Sequence, residues 1–210
     1  MDCHCLLQTN VKHSARAQDL LNQAMVEWNI EVAIVVEPYA VPPADSRWRG
    51  DTAGLVAIVS KGRSAASSLV PVARGEGYVA CRWGDWAVVG VYISPNISHG
   101  DFEDKIEEID GVVRRLHPDW LLVAGDFNAK SADWGCPVTD TRGEMLENWA
   151  AALDLHIINR GSVPTCVAAR GSSIVDITMG SPEAHGKITE WTVSDEETLY
   201  DHRYIVMDVS

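Results

Sequence analysis

A carboxylate and an amide lie two residues apart in the stretch Asp119–Ala129, and this spacing is the first feature of the sequence that could do chemistry. Asp126 and Asn128 follow Gly125 and the apolar run Trp120–Ala124. The run predicts a strand buried on both faces, after which the two side chains point the same way. Because ligands collect at the carboxyl ends of strands in α/β sheets, the pair indicates chemistry on a phosphate or a metal. Taken alone, it fits an Asx-turn and a tight loop slightly better.

Two further predicted strands end in polar side chains. Asn10 closes the strand Cys5–Asn10, and Glu37 directly follows the apolar strand Val32–Val36. Glu37 could be a solvated loop residue. A carboxylate that abuts five apolar residues and is fixed by the stiff Pro38 nevertheless favours a functional role.

Tyr92 brings a hydroxyl to another strand end. It closes the predicted strand Asp85–Tyr92, which a tight turn at Gly84 and Asp85 joins to the strand Gly77–Trp83 as an antiparallel hairpin. A core ring with a solvated hydroxyl is the more common role of a strand tyrosine.

The predicted strand Ser172–Met179 has a carboxylate, Asp176, in its middle. Burying a carboxylate is costly unless a charged group pairs with it, so Asp176 needs a partner. His202, which follows Asp201 at the start of the predicted terminal strand, is the candidate, because a carboxylate can orient and polarise an imidazole base. A lone histidine at such a position is more often structural or exposed to solvent.

Helices between these strands position the candidate residues. Ser14 fits an N-cap for a first helix, and Asp101–His117 is an amphipathic second helix. A capping box at Thr141–Glu144 predicts a third helix. Further strands are predicted at Gly54–Ser60, Leu155–Asn159 and Ile188–Val193. These elements predict an α/β fold, a four-layer sandwich of two packed mixed β-sheets flanked by helices.

The turn-rich loop 38–52 contains Arg47, Trp48 and Arg49 in succession. A tryptophan between two arginines could stack on a base or grip a nucleic-acid backbone. Packing over the edge of the domain explains it equally well.

Length and composition fit one domain with a sizeable core, since 46% of the 210 residues are hydrophobic. No apolar run reaches membrane-spanning length and the start lacks the regions of a signal peptide, so we expect a soluble intracellular protein, not a secreted one. The five cysteines include no Cys-x-x-Cys pair, which favours reduced thiols over disulfides or a zinc site. Cys3, His4 and Cys5 on one strand are a poor tetrahedral cage.

The formal charge of −13 disfavours a passive nucleic-acid-binding module, which would normally be basic. Two explanations keep a nucleic-acid substrate compatible with this charge. Carboxylates can hold a divalent cation that reverses the local field, or other domains of a larger protein can supply a basic surface.

The ordered series of strand-Asn, strand-Glu, Gly-Asp-x-Asn, strand-Asp and terminal Asp-His closely resembles the endonuclease/exonuclease/phosphatase superfamily, which includes deoxyribonuclease I and abasic-site endonucleases. The resemblance spans almost the entire chain. Finer motifs look like the N-terminal endonuclease domain of a non-LTR (LINE-type) retrotransposon polyprotein. These motifs are Leu7–Asn10, Glu37–Tyr39, Tyr92–Asn96, Gly125–Ala129, Arg142–Gly143, Asn159–Gly161, Pro164–Cys166, Ile174–Thr178 and Asp201–Tyr204.

Within that family the chain looks most like the arthropod lineage that inserts into defined targets, such as ribosomal RNA genes or telomeric repeats. The resemblance implies a deoxyribonuclease I-like fold and a Mg²⁺-dependent endonuclease, with Mn²⁺ as the alternative ion. Such an enzyme nicks one strand of double-stranded DNA in the nucleus, and the freed 3′-hydroxyl primes reverse transcription by another domain. Residues 1–210 would be a single endonuclease domain excised from the N-terminal part of that polyprotein, which also carries a reverse transcriptase; no membrane partner is expected.

The resemblance also implies residue roles. Glu37 is the principal Mg²⁺ ligand, Asn10 contacts metal or phosphate, and Asp201 lies at a second metal-proximal position. Asp176 orients His202, which either deprotonates the attacking water or, when protonated, holds a phosphate oxygen.

The remaining implied roles concern the scissile bond. Asp126 and Asn128 position the nucleophile and stabilise the departing 3′-oxygen, and Tyr92 donates to the phosphate. Thr165 matches a substrate-binding position that supports the scissile region.

Two residues bear on how DNA is recognised. Tyr200 stands where the family usually has Ser or Thr, and this departure puts the rate or the path of DNA into the site in doubt. The segment Val167–Gly171 matches a hairpin loop that probes the DNA, and Arg170 could enter a groove or contact a phosphate. A solvated turn arginine explains Arg170 equally well.

Three other functions compete with this interpretation. An abasic-site repair endonuclease would use the same fold. A phosphatase or sphingomyelinase is less well supported, because no membrane-facing apolar loop is evident. A catalytically weak DNA-targeting module would accommodate Tyr200 and the negative charge, but it leaves the intact acid/base positions unexplained.

Overall fold

The computed structural model describes residues 4–62, 67–116 and 120–210, and these residues form strands and helices. Cys3, His117 and Asp119, which enter the sequence-based predictions, lie outside these residues. In chain order the strands are β1 (His4–Asn10), β2 (Ile30–Val36), β3 (Trp48–Gly50), β4 (Val56–Ser60), β5 (Leu69–Gly75), β6 (Tyr78–Trp83), β7 (Trp86–Tyr92), β8 (Trp120–Asp126), β9 (His156–Ile157), β10 (Cys166–Ala168), β11 (Gly171–Ser173), β12 (Asp176–Gly180), β13 (Ile188–Val193) and β14 (Ile205–Val209). The helices are α1 (Ala15–Glu27), α2 (His99–Leu116), α3 (Thr141–Ala152) and α4 (Pro182–Lys187), and a 3₁₀ turn covers Ala132–Trp134.

Most strands belong to two six-stranded mixed sheets. The first sheet has the order β13-β14-β1-β2-β4-β3, and the second has the order β5-β6-β7-β8-β12-β9. Each contains one parallel pair, β1 with β2 and β7 with β8, because a helix connects the two strands of each pair. The predicted hairpin at Gly84 and Asp85 is confirmed as the antiparallel turn between β6 and β7.

Apolar side chains fill the spaces between four layers of secondary structure. Between the two sheets, Leu6, Ile34 and Ile58 belong to one cluster with Val88 and Leu122. A second cluster joins the second sheet to α2 and α3, and a third joins the first sheet to α1. The predicted four-layer α/β sandwich is therefore confirmed. Across the described residues, no helix has the length and apolar character needed to span a membrane.

The three long helices lie where the sequence predicts them, with one difference at a cap. Ser14 caps α1, and the predicted inward face of α2 is buried throughout. The capping box proposed at Thr141 is wrong by one residue. Asp140 is the N-cap of α3, because its carboxylate accepts a hydrogen bond from the Gly143 amide at 2.8 Å.

Three strand predictions need correction. Asp176 is the first residue of β12 rather than the middle of a strand, because the Thr165 hydroxyl, and not a neighbouring strand, accepts from the amides of Val175 and Asp176. His202 lies in the loop before β14. β5 has no counterpart in the predictions, since it is a largely exposed strand at a sheet edge and contains Pro71.

A small hairpin and an edge strand complete the fold. β10 and β11 form a separate two-stranded sheet, from which Cys166 also bridges to His202, and Arg170 lies in their connecting turn, so the predicted hairpin is confirmed. In the loop 38–52, Trp48 begins β3 and is 6% exposed. Packing, rather than stacking on a base, therefore explains this tryptophan.

Candidate active site

Polar strand ends meet at one edge of the molecule. In the second sheet, Asp126 pairs with Tyr92 on one side and with Asp176 on the other, so these three side chains stand next to one another. In the first sheet, β1 ends at Asn10 and β2 ends directly before Glu37. Asn10 Nδ2 lies 3.3 Å from Asp126 Oδ2 and connects the two sheets.

A buried glutamine fixes the distance between the sheets at this edge. Gln8 of β1 is fully buried and donates to the carbonyls of Gly125 and Ile177, at 3.1 and 3.4 Å. The Thr178 hydroxyl donates to Gln8 Oε1 at 3.0 Å. Only glycine fits at position 125, because a Cβ there would lie 1.8 Å from Val91 O. The end of β8 is therefore tied to strands of both sheets.

We call Asp126, Asp176 and His202 the buried half of the site, since they are 2%, 1% and 5% exposed. His202 Nδ1 lies 2.8 Å from Asp176 Oδ2, and His202 Nε2 lies 3.8 Å from Asp126 Oδ2. One ligand atom from each residue lies within 4.8 Å of those of the other two. The fold thus brings together the carboxylate and the imidazole that the sequence predicts as partners.

Neighbouring polar groups hold the buried half in place. Asn159 Nδ2 donates to Asp176 O at 3.0 Å, and the Cys166 thiol hydrogen-bonds to His202. Thr165 Oγ1 accepts from Asp176 N at 3.3 Å, and Thr165 is completely buried. Its hydroxyl therefore positions Asp176, and its role in substrate binding stays a prediction.

Burial and charge shift the pKa values of two residues in the buried half, Asp126 and His202. Burial, followed by the charge of Asp176, raises the pKa of Asp126 to about 8. Burial alone would lower the pKa of His202, but the charge of Asp176 and the hydrogen bond to it raise that pKa to about 11. At neutral pH His202 is therefore an imidazolium paired with Asp176, and the Asp126 carboxyl titrates close to neutrality.

We call Lys12, Glu37 and Asp201 the open half of the site, because their side chains are 41%, 20% and 33% exposed. Lys12 forms an ion pair with Asp201, and this hydrogen bond is the main cause that raises the pKa of Lys12. His13 Nε2 lies 3.7 Å from Glu37 Oε1. Asp201 thus pairs with a cation of the protein itself, and its role as a metal ligand stays a prediction.

Tyr92 connects the two halves. Its hydroxyl hydrogen-bonds to Ser94 and to Glu37. Burial, together with the charges of Glu37 and Asp126, raises the pKa of Tyr92 to about 12. The hydroxyl therefore stays protonated at neutral pH and is able to donate a hydrogen bond.

Three predicted residues lie around this centre. Asn128 contacts the buried half, because its backbone N–H donates to Asp126 Oδ1 at 3.1 Å. Tyr200 is 47% exposed and directly precedes Asp201, and Arg170 is exposed in the hairpin turn. Both exposed side chains face solvent at positions that DNA can reach, and their contact with DNA stays a prediction.

Unfavourable backbone conformations are concentrated in the loops of the site. Of the seven non-glycine residues with positive φ in the described ranges, five lie in these loops. They are Lys12, His13, Glu37, Asn128 and Leu199. Such conformations cost about 1–3 kcal/mol each and persist only where surrounding contacts impose them. Their clustering marks this edge of the molecule as the functional one.

The residues of the site fit a divalent cation. Four carboxylates from the two halves face two cationic groups, Lys12 and the His202 imidazolium, so negative charge is in excess. Oxygen ligands of this kind suit a hard cation such as Mg²⁺ or Mn²⁺.

Comparison with known proteins agrees with the geometry. The family described as endonuclease-reverse transcriptase matches residues 86–206, more than half of the chain. The chain belongs to this family. The solved endonuclease domain of TRAS1, a telomere-specific non-LTR retrotransposon, matches this endonuclease domain with a TM-score of 0.85 and 28% identity, over 99% of this chain and 98% of that one. No curated protein sequence matches it.

Two other nucleases share the fold at low identity. The 3′ phosphatase NExo from Neisseria, bound to a product DNA hairpin, has a TM-score of 0.76 and 13% identity over 99% of both chains. An AP endonuclease from Archaeoglobus fulgidus has a TM-score of 0.73 and 13% identity over 99% of both chains. At 13% identity these matches show the fold alone. The family match, with the fold shared with the TRAS1 domain, identifies a hydrolytic DNA endonuclease domain of the endonuclease/exonuclease/phosphatase superfamily, of the retrotransposon type.

Several residues that shape the endonuclease site had no role assigned from the sequence. Gln8, Asn159 and Arg142 lie inside motifs that carry the family resemblance, and this position is the signal that could have identified them. Lys12 has no comparable signal, because only the folded chain brings it to Asp201.

Proposed function

We propose that this endonuclease domain nicks one strand of double-stranded target DNA in a Mg²⁺-dependent reaction and leaves a 3′-hydroxyl that primes reverse transcription. The observation that carries the proposal is the buried half, in which an imidazolium and two carboxylates lie within 4.8 Å of one another. Phosphodiester hydrolysis needs a base, a hydrogen-bond donor to the phosphate and a counter-charge for the transition state. The buried and open halves supply groups for all three.

In this proposal His202 is the donor to the phosphate, and Asp126 is the base. A pKa of about 11 for His202 means that both ring nitrogens carry protons at neutral pH. Nδ1–H is donated to Asp176 at 2.8 Å, which leaves Nε2–H for a phosphate oxygen. Asp126, with a pKa of about 8, is ionised in only a fraction of the molecules at neutral pH, and this ionised carboxylate accepts a proton from the attacking water.

The open half neutralises the phosphate. A Mg²⁺ ion held there would supply positive charge that stabilises the phosphate oxygens during hydrolysis. Glu37 is the accessible carboxylate for the ion, and Tyr92 donates to the same phosphate. Asn10 Oδ1 accepts from Lys12 N at 2.9 Å while Nδ2 faces Asp126, so the Asn10 amide also orients the base.

The proposal extends to the partner domain and the target. The matching family joins an endonuclease to a reverse transcriptase in its description, so the 3′-hydroxyl would be used by a reverse transcriptase of the same polyprotein. TRAS1 is described as telomere-specific, and its endonuclease domain is 28% identical to this chain over 99% of its length. This supports a selective target, either a telomeric repeat or a ribosomal RNA gene, cut in the nucleus.

Nicking of supercoiled plasmids tests the proposal. The plasmids carry a telomeric repeat, a ribosomal RNA gene or an unrelated insert, and each reaction contains Mg²⁺, Mn²⁺ or EDTA. We expect nicks only with a divalent ion, clustered in one insert, with ends that a DNA polymerase extends. His202→Ala should abolish nicking, whereas His185→Ala, which changes an exposed histidine of α4, should not.

Two results would contradict this function. Nicking confined to plasmids with abasic sites would identify a repair endonuclease. DNA binding without nicking, under all three ionic conditions, would identify a targeting module.

The hairpin of β10 and β11 offers a separate test of target choice. Arg170→Ala should change which sites are nicked more than it changes the rate on unrelated DNA, because a base or groove contact carries selectivity. Arg114→Ala on the exposed face of α2 is the matched control. An equal loss of nicking at every site would assign Arg170 to general phosphate contact.

A further inference from the structure

A buried arginine joins two loops that lead away from the site. Arg142, the second residue of α3, is 7% exposed. Its Nη1 donates to the carbonyls of Ser94 and Asn128, at 3.0 and 3.4 Å. Its Nη2 donates to the carbonyls of Pro95 and Ile97, at 3.3 and 2.7 Å. One guanidinium thus satisfies four backbone carbonyls that belong to no strand or helix.

These carbonyls lie on the loops that follow β7 and β8. The first loop begins directly after Tyr92, and the second contains Asn128, which has a positive φ of 47°. Asn128 Nδ2 also donates to Ile93 O at 2.9 Å, so the two loops are bonded to each other as well as to Arg142. The first turn of α3 lies close to the second loop, since a Cβ on Gly143 would lie 1.9 Å from Lys130 O.

We propose that Arg142 is a positioning residue for hydrolysis: it locks the loops after β7 and β8 together and so holds Asn128 in the strained conformation from which its amide contacts Asp126. Arg142 itself does not touch the reacting atoms. The contact it preserves is the bond from Asn128 N to Asp126 Oδ1, at 3.1 Å. A displacement of about 1 Å at a reacting group is enough to lower a rate by about 100-fold.

The geometry requires an arginine at this position. A guanidinium presents donors in a rigid planar fork, whereas a lysine presents one ammonium on a flexible stem. Lysine at position 142 would keep the charge but could not reach four carbonyls on two loops. The guanidinium also lies 5.0 Å from the centre of the Phe102 ring, so α2 fixes its plane from the other side.

Arg160 provides a matched control, because it makes the same kind of contact elsewhere. Its Nη1 and Nη2 donate to the carbonyls of Thr189 and Ile188, at 2.9 and 3.1 Å. Both carbonyls belong to β13, at the edge of the first sheet, and β13 carries no residue of the site. Arg160 is exposed, so its loss reports what arginine bonds to backbone carbonyls contribute to folding away from the site.

The experiment measures steady-state nicking over a range of DNA concentrations, which gives kcat and KM, for Arg142→Lys, Arg142→Ala and Arg160→Ala, with melting curves for each variant. We expect a kcat that is about 10- to 100-fold lower in both Arg142 variants, with little change in KM, and a nearly unchanged kcat for Arg160→Ala. Low millimolar guanidinium should restore part of the kcat of Arg142→Ala and have no effect on Arg160→Ala. If Arg142→Ala does not fold, Arg142→Lys carries the kcat comparison.

A double-mutant cycle tests whether Arg142 acts through Asn128. Asn128→Gly removes the side chain but tolerates a positive φ. We expect Arg142→Lys to lower the kcat of the Asn128→Gly variant by less than threefold, because glycine adopts a positive φ without strain and no longer needs Arg142 to impose it. Fully additive losses, a change confined to KM, or equal losses in Arg142→Ala and Arg160→Ala would each overturn the proposal.

Discussion

The buried half and the open half of the site differ in how far the protein itself determines their geometry. In the buried half, Asp176 accepts a hydrogen bond from His202 and donates its backbone N–H to Thr165, and each residue is at most 5% exposed. In the open half, the contact between Lys12 and Asp201 is an exposed ion pair, a kind that contributes about 0–1 kcal/mol. In the proposed mechanism, the fold therefore pre-organises the groups that would move protons, and the groups that would neutralise phosphate are left to be ordered by the ion and DNA.

If this comparison is right, substitutions in the buried half should lower nicking the most. Asp176→Asn should lower nicking by about 10³-fold or more, because the neutral amide no longer stabilises the His202 imidazolium. NMR titration of the imidazole should show a lower pKa for His202 in the variant. Asp154→Asn is the control, since Asp154 makes a similar but exposed contact, 3.4 Å from His156. Normal nicking by Asp176→Asn would remove the distinction between the halves.

The loss of nicking caused by a substitution in the open half should be partly reversed by a higher Mg²⁺ concentration. Glu37→Gln should lower nicking by about 100-fold at low Mg²⁺ and recover in part at high Mg²⁺, because the site keeps its other carboxylates. Mg²⁺ should raise the Tm of the unmodified domain and raise that of the variant less. Glu31→Gln on β2, which removes an exposed ion pair with Lys61, should behave like the unmodified domain. An equal Tm gain in both variants would place the ion away from Glu37.

The two halves should also differ in how pH affects stability. In the buried half, the raised pKa values mean that the folded state keeps protons that the unfolded state, with pKa values of 3.8 for Asp126 and 6.5 for His202, has lost. The free energy of unfolding therefore falls as pH rises, between about 4 and 8 for Asp126 and between about 6.5 and 11 for His202, by at most about 1.4 kcal/mol per pH unit for each proton. The Tm of the metal-free domain should decrease from pH 6 to pH 8.

Asp126→Asn should make that decrease shallower, because one of the two protons no longer titrates. Asp201→Asn, in the open half, should leave the slope as it is. A slope in Asp126→Asn equal to that of the unmodified domain would mean that this carboxyl ionises normally in the folded state.

The smallest effect is expected for the exposed ion pair. Lys12→Met should lower the free energy of unfolding by less than about 1 kcal/mol and should tighten Mg²⁺ binding a few-fold, because no ammonium then competes for Asp201. Calorimetric titration with Mg²⁺ at low and high salt checks this, and Lys105→Met on α2 is the control. Weaker Mg²⁺ binding in Lys12→Met would show that Lys12 supports the ion site instead of competing with it.

Sequence patterns were sufficient to predict the four-layer sandwich and the pairing of Asp176 with His202. Apolar runs followed by polar residues identify strand ends. The ends of neighbouring strands lie close together in a sheet, whatever conformation the loops adopt. The predicted position of Asp176 in the middle of a strand was wrong. Asp176 begins β12, because its backbone N–H donates to the Thr165 hydroxyl and not to the carbonyl of a neighbouring strand.

Other features of the site depend on contacts between distant loops. Arg142 and Gln8 bind backbone carbonyls, and no pattern in a sequence shows which carbonyls are left without a strand or helix partner. The ion pair of Lys12 with Asp201 joins residues 189 positions apart on loops whose conformation is strained. The sequence did not predict β5 for a different reason. β5 is a largely exposed edge strand, so it lacks the buried apolar face by which other strands are identified.

The hairpin of β10 and β11 lies outside both sheets, and every residue from Val167 to Ser172 is exposed. Substitutions at such positions usually change stability by no more than about 0.5 kcal/mol. The hairpin is nevertheless anchored beside the site, because Val167 N donates to Asp201 O at 2.8 Å. If the hairpin contacts DNA as proposed, mutation can alter the surface offered to DNA without disturbing the proposed hydrolytic residues, and the target can change while the cutting chemistry is kept.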